Sequence, residues 1–337
     1  MAIAARKRLT LHVAQEALPL SAPFVITGYT FTEVQVIVAH LDDGDAIGEG
    51  EAAGVYYLGD DTAHMLAAAE AVRNELAMGA DRDDLRRLLP PGGARNALDC
   101  ALWDLEAKHT RQPAWKLAGL ERPRPLVTTF TLGAGEPGMM AGKALGFAQA
   151  HALKLKLTGQ SALDAERVRA VRKARPDVWL GVDGNQGFVP DSLEEVMPAL
   201  VAAQVKLLEQ PFARGSEAQH DGFRSPIPVA ADESVQGLAD IEALVGRFDV
   251  VNIKLDKCGG LTEALLMAAE ARRLKLGVMV GNMVGTSLAM APAWLLGQVC
   301  DIADLDGTIF ITRDRSPSMV FEDGRVSYPD RGWGNPA

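Results

Sequence analysis

The sequence predicts an α/β protein in which a closed parallel barrel follows a separate α+β unit. Three observations carry that expectation. Short apolar stretches alternate with amphipathic ones across residues 123–307, the texture of repeated strand-and-helix units. Seven or eight such units in about 185 residues imply closure into a barrel rather than an open sheet. Finally, three acidic motifs stand at the ends of apolar runs, each about one unit further along. They are Asp183-Gly184-Asn185, Glu209-Gln210-Pro211 and Asp232-Glu233-Ser234. Consecutive parallel strands would deliver these carboxylates to one end of the barrel, where such folds keep their chemistry.

The totals are compatible with this. A chain of 337 residues has room for a barrel and an accessory unit. At 48% hydrophobic and 23% charged it has ample core material for an ordinary globular protein. A net charge of −10 argues against nucleic acid or an anionic membrane as partner. Cys100, Cys258 and Cys300 show neither ligand spacing nor a disulfide framework, which suits a reducing cytoplasm. The opening residues run directly into an alternating strand pattern, so no export signal is expected. Residues 276–300 carry no charge and could in principle span a bilayer. Gly277, Gly281, Asn282, Gly285, Pro292 and Gln298 interrupt them, and a buried strand, turn and helix is the reading adopted.

Taken in order, residues 6–50 read as strands. Leu9, Leu11 and Val13 alternate with polar neighbours, and 32–38 forms a second alternating run after a loop holding Pro19, Pro23 and Gly28. Helices are expected over 62–78 and 94–109, the latter with Ala97, Leu98, Ala101, Leu102 and Leu105 on one stripe. Beyond Pro123-Arg124-Pro125 the strands are 127–132, 152–157, 179–182, 206–208, 227–230, 250–255, 278–280 and 301–305. Helices fall at 162–174, 192–203, 241–246, 262–275 and 287–296. After Gly307 the alternation stops.

Strand alternation puts Lys154 and Lys156 on one face, roughly 7 Å apart. Leu153, Leu155 and Leu157 take the other face, toward the helices, so both ammonium groups face the barrel axis. Burying two like charges is costly unless something is gained. Their repulsion, together with a nearby cation, is expected to lower a lysine toward the working pH and make it a usable base. Lys254, in Asn252-Ile253-Lys254-Leu255-Asp256-Lys257-Cys258-Gly259-Gly260, lies on the strand after Asp232. The acids therefore sit between Lys156 and Lys254, an arrangement suited to taking a proton from one face of a carbon and returning it to the other. Hard oxygen donors without His or Cys suit Mg²⁺. A surface acid or a solvated lysine explains any one of these residues singly, but not all of them in one phase.

This set of residues resembles the enolase superfamily, in its muconate-lactonising subgroup. The likeness runs over essentially the whole chain and includes the stretch 94–105 (ARNALDCALWDL). It implies a modified TIM barrel, (β/α)7β, over 123–307, an N-terminal α+β capping domain over 1–122, and a tail, 308–337, packed back on the cap. It further implies that Asp183, Glu209 and Asp232 bind one Mg²⁺ per subunit, with Mn²⁺ able to substitute. Lys156 and Lys254 would be the acid/base pair and Lys154 an electrostatic aid. No histidine ends a late barrel strand, which disfavours the His-dependent branches.

Within the subgroup, Gly281-Asn282-Met283-Val284-Gly285-Thr286-Ser287 and Asp304-Leu305-Asp306-Gly307 resemble the last two strand ends of dipeptide epimerases. In those enzymes the D-x-D pair receives the free α-ammonium of the dipeptide. Two uncompensated carboxylates on one face make sense if the ligand brings the positive charge. Asn185, Asn282 and Met283 are expected on the substrate wall, with Phe24, Ile26 and Tyr56, beside Tyr29 and Tyr57, on the cap side. Members that accept glutamate often carry a basic residue in the first capping loop. Residues 21–28 hold none, so a neutral or apolar side chain is expected. The expected activity is inversion of the α-carbon of a dipeptide's C-terminal residue by two-lysine proton transfer through a metal-stabilised enolate, in a cytoplasmic homo-oligomer. An N-acylamino acid racemase, o-succinylbenzoate synthase or muconate cycloisomerase would use the same machinery but bind no ammonium group. A catalytically silent barrel serving as a binding protein is the alternative of another class, opposed by the presence of both lysines and all three acids.

Overall fold

The computed structural model describes residues 8–26 and 29–336, the side chains of 24–26 and 29 excepted. Strands β1 (Thr10–Ile26), β2 (Tyr29–Asp42) and β3 (Ile47–Ala52) form an antiparallel sheet. Its register slips between Pro19 and Phe24, in a stretch where two prolines offer no N–H to the ladder. Helices α1 (Thr62–Ala71), α2 (Arg73–Ala77), α3 (Arg82–Leu88), α4 (Gly93–Thr110) and α5 (Ala114–Leu117) follow. The single helix expected over 62–78 is two, because Val72 leaves helical dihedrals (φ −104°, ψ 11°). Helix α4 is buried over most of its length. It lies so close to β3 that a Cβ at Gly48 or Gly50 would run into the carbonyls of Ala101 and Ala97.

After the short β4 (Leu126–Val127), the parallel strands are β5 (Thr129–Leu132), β6 (Ala152–Lys156), β7 (Trp179–Asp183), β8 (Leu207–Glu209), β9 (Val229–Ala231), β10 (Val250–Ile253), β11 (Gly277–Gly281) and β12 (Ile302–Asp304). They form one eight-stranded sheet in sequence order. Its two edges meet where Thr128 bridges Ala303 and the Leu305 amide donates to Thr128 Oγ1 at 2.8 Å. The expected (β/α)7β barrel is present. Around it run α6 (Pro137–Gly146), α7 (Ser161–Ala174), α8 (Pro190–Ala202), α9 (Ile241–Leu244), α10 (Leu255–Cys258), α11 (Leu261–Arg273) and α12 (Ser287–Gly297). Helix α6 was not expected: the five glycines between 133 and 146 hide its periodicity, although Pro137 sits at its first turn. The helix expected over 241–246 is a single turn, ended before Gly246 at φ 83°.

Leu153 and Leu155 of β6 are buried toward the helices, which leaves Lys154 and Lys156 inside the barrel. The charge-free stretch 276–300 is β11 and α12, both largely buried. Among the described residues no helix is long and apolar enough to cross a membrane. Strand β14 (Arg325–Ser327) pairs on one side with β13 (Val320–Glu322) and on the other with β4. Trp333 Nε1 then donates to the Cys100 carbonyl at 3.0 Å, and the Gly334 amide to Asp104 at 2.8 Å, which ties the chain end to α4.

Candidate active site

Register places Lys156, Asp183 and Glu209 side by side on β6, β7 and β8. Asp232 stands just past β9, its amide held by Gln210 Oε1 at 2.9 Å. One carboxylate oxygen from each of Asp183, Glu209 and Asp232 lies within 4.8 Å of the others, and all three residues are buried. Burial, with Asp183 next to it, pushes the Glu209 carboxyl up to about 7. Three desolvated carboxyl groups therefore meet at one point, each with a lysine ammonium beside it. This all-oxygen donor set fits a small, hard divalent cation.

The two candidate bases flank the cluster. Lys156 Nζ lies 2.6 Å from Asp183 Oδ2, and Lys254 Nζ, just past β10, lies 2.6 Å from Asp232 Oδ2. Between them Lys154 Nζ reaches Glu209 Oε2 at 3.2 Å, pairs with Asp304, and stands 3.9 Å from Asp183. Burial presses Lys154 and Lys254 down, but the carboxylates outweigh it and hold both ammonium groups above the ordinary lysine value. Repulsion between like charges is real, but acids on neighbouring strands are closer.

Asp304 and Asp306 do come together in the site, but not as an uncompensated pair. Asp304 is held by Lys154 and accepts from Thr129 Oγ1. Lys154 outweighs its burial and keeps its carboxyl below the usual range. Asp306 accepts from the Thr131 amide at 2.6 Å. Burial and Asp304 push it up to about 7. Among the described residues, the site lysines form ion pairs with Asp304 and none with Asp306.

Lys154, Lys156, Asp232, Lys254, Asp304 and Asp306 line a cavity of about 450 Å³ between the barrel end and the first sheet. Asn185, Asn282, Met283, Tyr56 and Tyr57 all line it, with Leu20, Phe31 and Phe310. Phe24 and Ile26 have side chains outside the described residues. Tyr56 packs edge-on against Phe31 (5.3 Å between centroids) and Tyr57 (5.2 Å). Asn185 takes φ 42° so that its amide can donate to Asp183 Oδ1 at 2.8 Å.

Three further residues were not singled out from the sequence. Asn252 donates from Nδ2 to Glu209 Oε1 at 2.7 Å. Two positions before Lys254, it shares that strand face, so alternation could have marked it. Glu233 lines the cavity with its Oε2 buried and without a hydrogen-bond partner. Burial, with Asp232 beside it, pushes its carboxyl up to about 8. Lys257 donates to Asp232 from a short helix, where strand alternation no longer applies.

Comparison with known proteins agrees with this architecture. Residues 8–119 match the mandelate racemase/muconate lactonizing enzyme N-terminal domain, and residues 140–335 the enolase C-terminal domain-like family. The chain is 39% identical over 317 residues to the L-Ala-D/L-Glu epimerase of Escherichia coli K12, covering 94% of this chain and 99% of that one. An enolase family member from Agrobacterium tumefaciens, with homology to dipeptide epimerases and with sodium and L-Ala-L-Glu bound, superposes with a TM-score of 0.92. It is 39% identical and covers 96% of this chain and 98% of its own. The dipeptide epimerase of Enterococcus faecalis, complexed with Mg and L-Leu-L-Tyr, superposes with a TM-score of 0.90 at 26% identity, covering 97% and 98%.

Proposed function

This chain belongs to the enolase superfamily, in its mandelate racemase/muconate-lactonising branch, and on that premise we propose that it is a magnesium-dependent dipeptide epimerase. The observation that carries the reading is the pair Lys156 and Lys254, each 2.6 Å from an acid of the same cluster and approaching from different strands. One lysine takes the α-proton of the C-terminal residue and the other returns a proton to the opposite face. A divalent cation bound by Asp183, Glu209 and Asp232 would supply positive charge for the negative charge that develops on the substrate carboxylate. Lys154 adds fixed positive charge. Asp306, beside Asp304, receives the substrate's α-ammonium through charge-assisted hydrogen bonds.

The favoured substrate is a free-amino dipeptide with a neutral or apolar C-terminal side chain. Support comes from the cap side of the cavity, where Leu20, Phe31, Val34, Tyr56 and Tyr57 are joined by Glu33, Asp60 and Asp61 and, among the described residues, by no arginine or lysine. The L-Ala-D/L-Glu epimerase relative points the other way, toward an acidic side chain. On the same reading, residues 1–122 are the cap, 123–307 the catalytic barrel and 308–337 the tail of a cytoplasmic homo-oligomer, whose assembly light scattering would measure.

One comparison tests both parts of the substrate reading. Ala-Leu, Ala-Phe and Ala-Glu are assayed for epimerisation beside their N-acetyl forms. Acetylation removes the cation that Asp306 faces, and kcat/KM should fall by about two orders of magnitude. Acetylated substrates turning over as well as free ones would favour an N-acylamino acid racemase. Ala-Glu as by far the best substrate would remove the side-chain part and leave the reaction standing.

A further inference from the structure

Lys257 has no part in the proton transfer described above, yet it is the most completely bonded lysine of the region. It stands on α10, three positions after Lys254, and is 2% exposed. Its ammonium donates to Asp232 Oδ1 at 2.6 Å, to the Asp232 carbonyl at 2.6 Å and to the Asn252 carbonyl at 3.0 Å. That uses all three of its donors. Asp232 is thereby divided between two cations, Oδ1 to Lys257 and Oδ2 to Lys254.

The two bonds are not equivalent. Lys254 lines the cavity, and Asp232 is its one hydrogen-bond partner among the described residues. Lys257 does not line the cavity, and two backbone carbonyls hold it in addition to Oδ1. We propose that Lys257 is a positioning residue that fixes the rotation of the Asp232 carboxylate and supplies its permanent counter-charge, so that Lys254 is free to leave Asp232 for the substrate. The inference rests on the reading of Asp232 as a cation ligand and Lys254 as a base. Without Lys257, Asp232 would have Lys254 as its only ammonium partner. The base would then be pinned and the carboxylate free to turn.

Two consequences follow that a merely structural lysine would not produce. First, Lys257→Met should bind Mg²⁺ at least tenfold more weakly than the native protein in calorimetry with the metal alone, as loss of an outer partner of a ligand typically does. If the only effect of Lys257 were charge repulsion of the ion, affinity would rise instead. Second, α-proton exchange in D₂O should fall unevenly. The epimer whose exchange Lys254→Met abolishes should lose at least tenfold, and the other epimer much less.

A folded Lys257→Met protein with native Mg²⁺ affinity, or tighter, and evenly reduced exchange would overturn the proposal. Should that variant fail to fold, the native protein labelled with ¹⁵N-lysine answers instead. The Lys257 ammonium signal should be protected from solvent exchange and stay in place as Mg²⁺ is added, while the Lys254 signal moves. A Lys257 signal that moves as far as that of Lys254 would overturn the proposal. A native protein that binds no Mg²⁺ would overturn the underlying reading as well, which separates the two failures.

Discussion

At the scale of single residues, what matters is which charge each buried group meets. Lys154 stands among Asp304, Glu209 and Asp183, which hold its ammonium above the ordinary lysine value despite burial, as the proposed role of a fixed cation requires. Glu209 carries the opposite strain, pushed up by burial and by Asp183. Changing it to Gln keeps an acceptor for the Asn252 amide and removes one charge from the donor set. Glu209→Gln should therefore fold normally, as judged by circular dichroism, and lose both turnover and its response to added Mg²⁺. Lys156 and Lys254 belong to opposite sides of the cluster. Each single substitution should abolish epimerisation while still exchanging the α-proton of one epimer in D₂O. A variant of either that still epimerises in both directions would rule out the two-base scheme.

At the scale of elements, the turn after β10 is gripped by α4. Asp99 accepts from the Thr262 amide at 3.0 Å and from its hydroxyl at 2.6 Å. Arg95 donates to the Cys258 carbonyl, and Asp256 accepts from the Ala53 and Gly54 amides at 2.8 and 3.0 Å. Burial pushes the Asp99 carboxyl up to about 6 from an ordinary 3.8. A carboxyl raised on folding favours the folded state while protonated. Its share is present below pH 4 and is lost as pH rises through 6, on the order of 3 kcal/mol in all. Asp99→Asn should remove that slope, so its stability relative to the native protein should improve from pH 5 to pH 7, as read by urea denaturation at each pH. On the facing strand, a Cβ at Gly281 would lie 2.8 Å from Asn252 Oδ1 and 3.0 Å from Lys254 Cε. Gly281→Ala should therefore displace the base and cost roughly 100-fold in kcat with the fold retained.

At the scale of the whole molecule, a buried acid ties the first sheet to the barrel. Glu51 of β3 accepts from the Thr286 amide at 2.7 Å and its hydroxyl at 2.6 Å, and pairs with Arg315 of the tail at 3.0 Å. Strand β3, the start of α12 and the segment after β12 thus meet immediately after residues 282–284, which line the cavity. Glu51→Ala leaves the Thr286 amide without its acceptor and Arg315 with Glu16 as its remaining acid, and should lower stability by about 2 kcal/mol in chemical denaturation. KM should rise at the same time, because the loop that borders the substrate loses its anchor. Native stability with a native KM would show that the first sheet is held on the barrel by other contacts.

The sequence alone determined the barrel, the inward face of Lys154 and Lys156, and the spacing of the three acids. These are properties of one element at a time, since strand alternation and the strand-and-helix repeat are set by local backbone geometry. Where local signals were weak it failed: the glycines of 133–146 concealed α6, and Val72 broke a helix that its periodicity had continued. Only the tertiary structure decided which charges meet. Lys154 and Asp304 lie 150 residues apart and become partners because closure of the barrel brings β6 and β12 to the same end. The lone position of Asp306, the amide of Asn252 on Glu209 and the seat of Lys257 on Asp232 arise in the same way. Periodicity states which face of an element turns inward, whereas an ion pair depends on ångström-scale distances between elements that the chain itself keeps far apart.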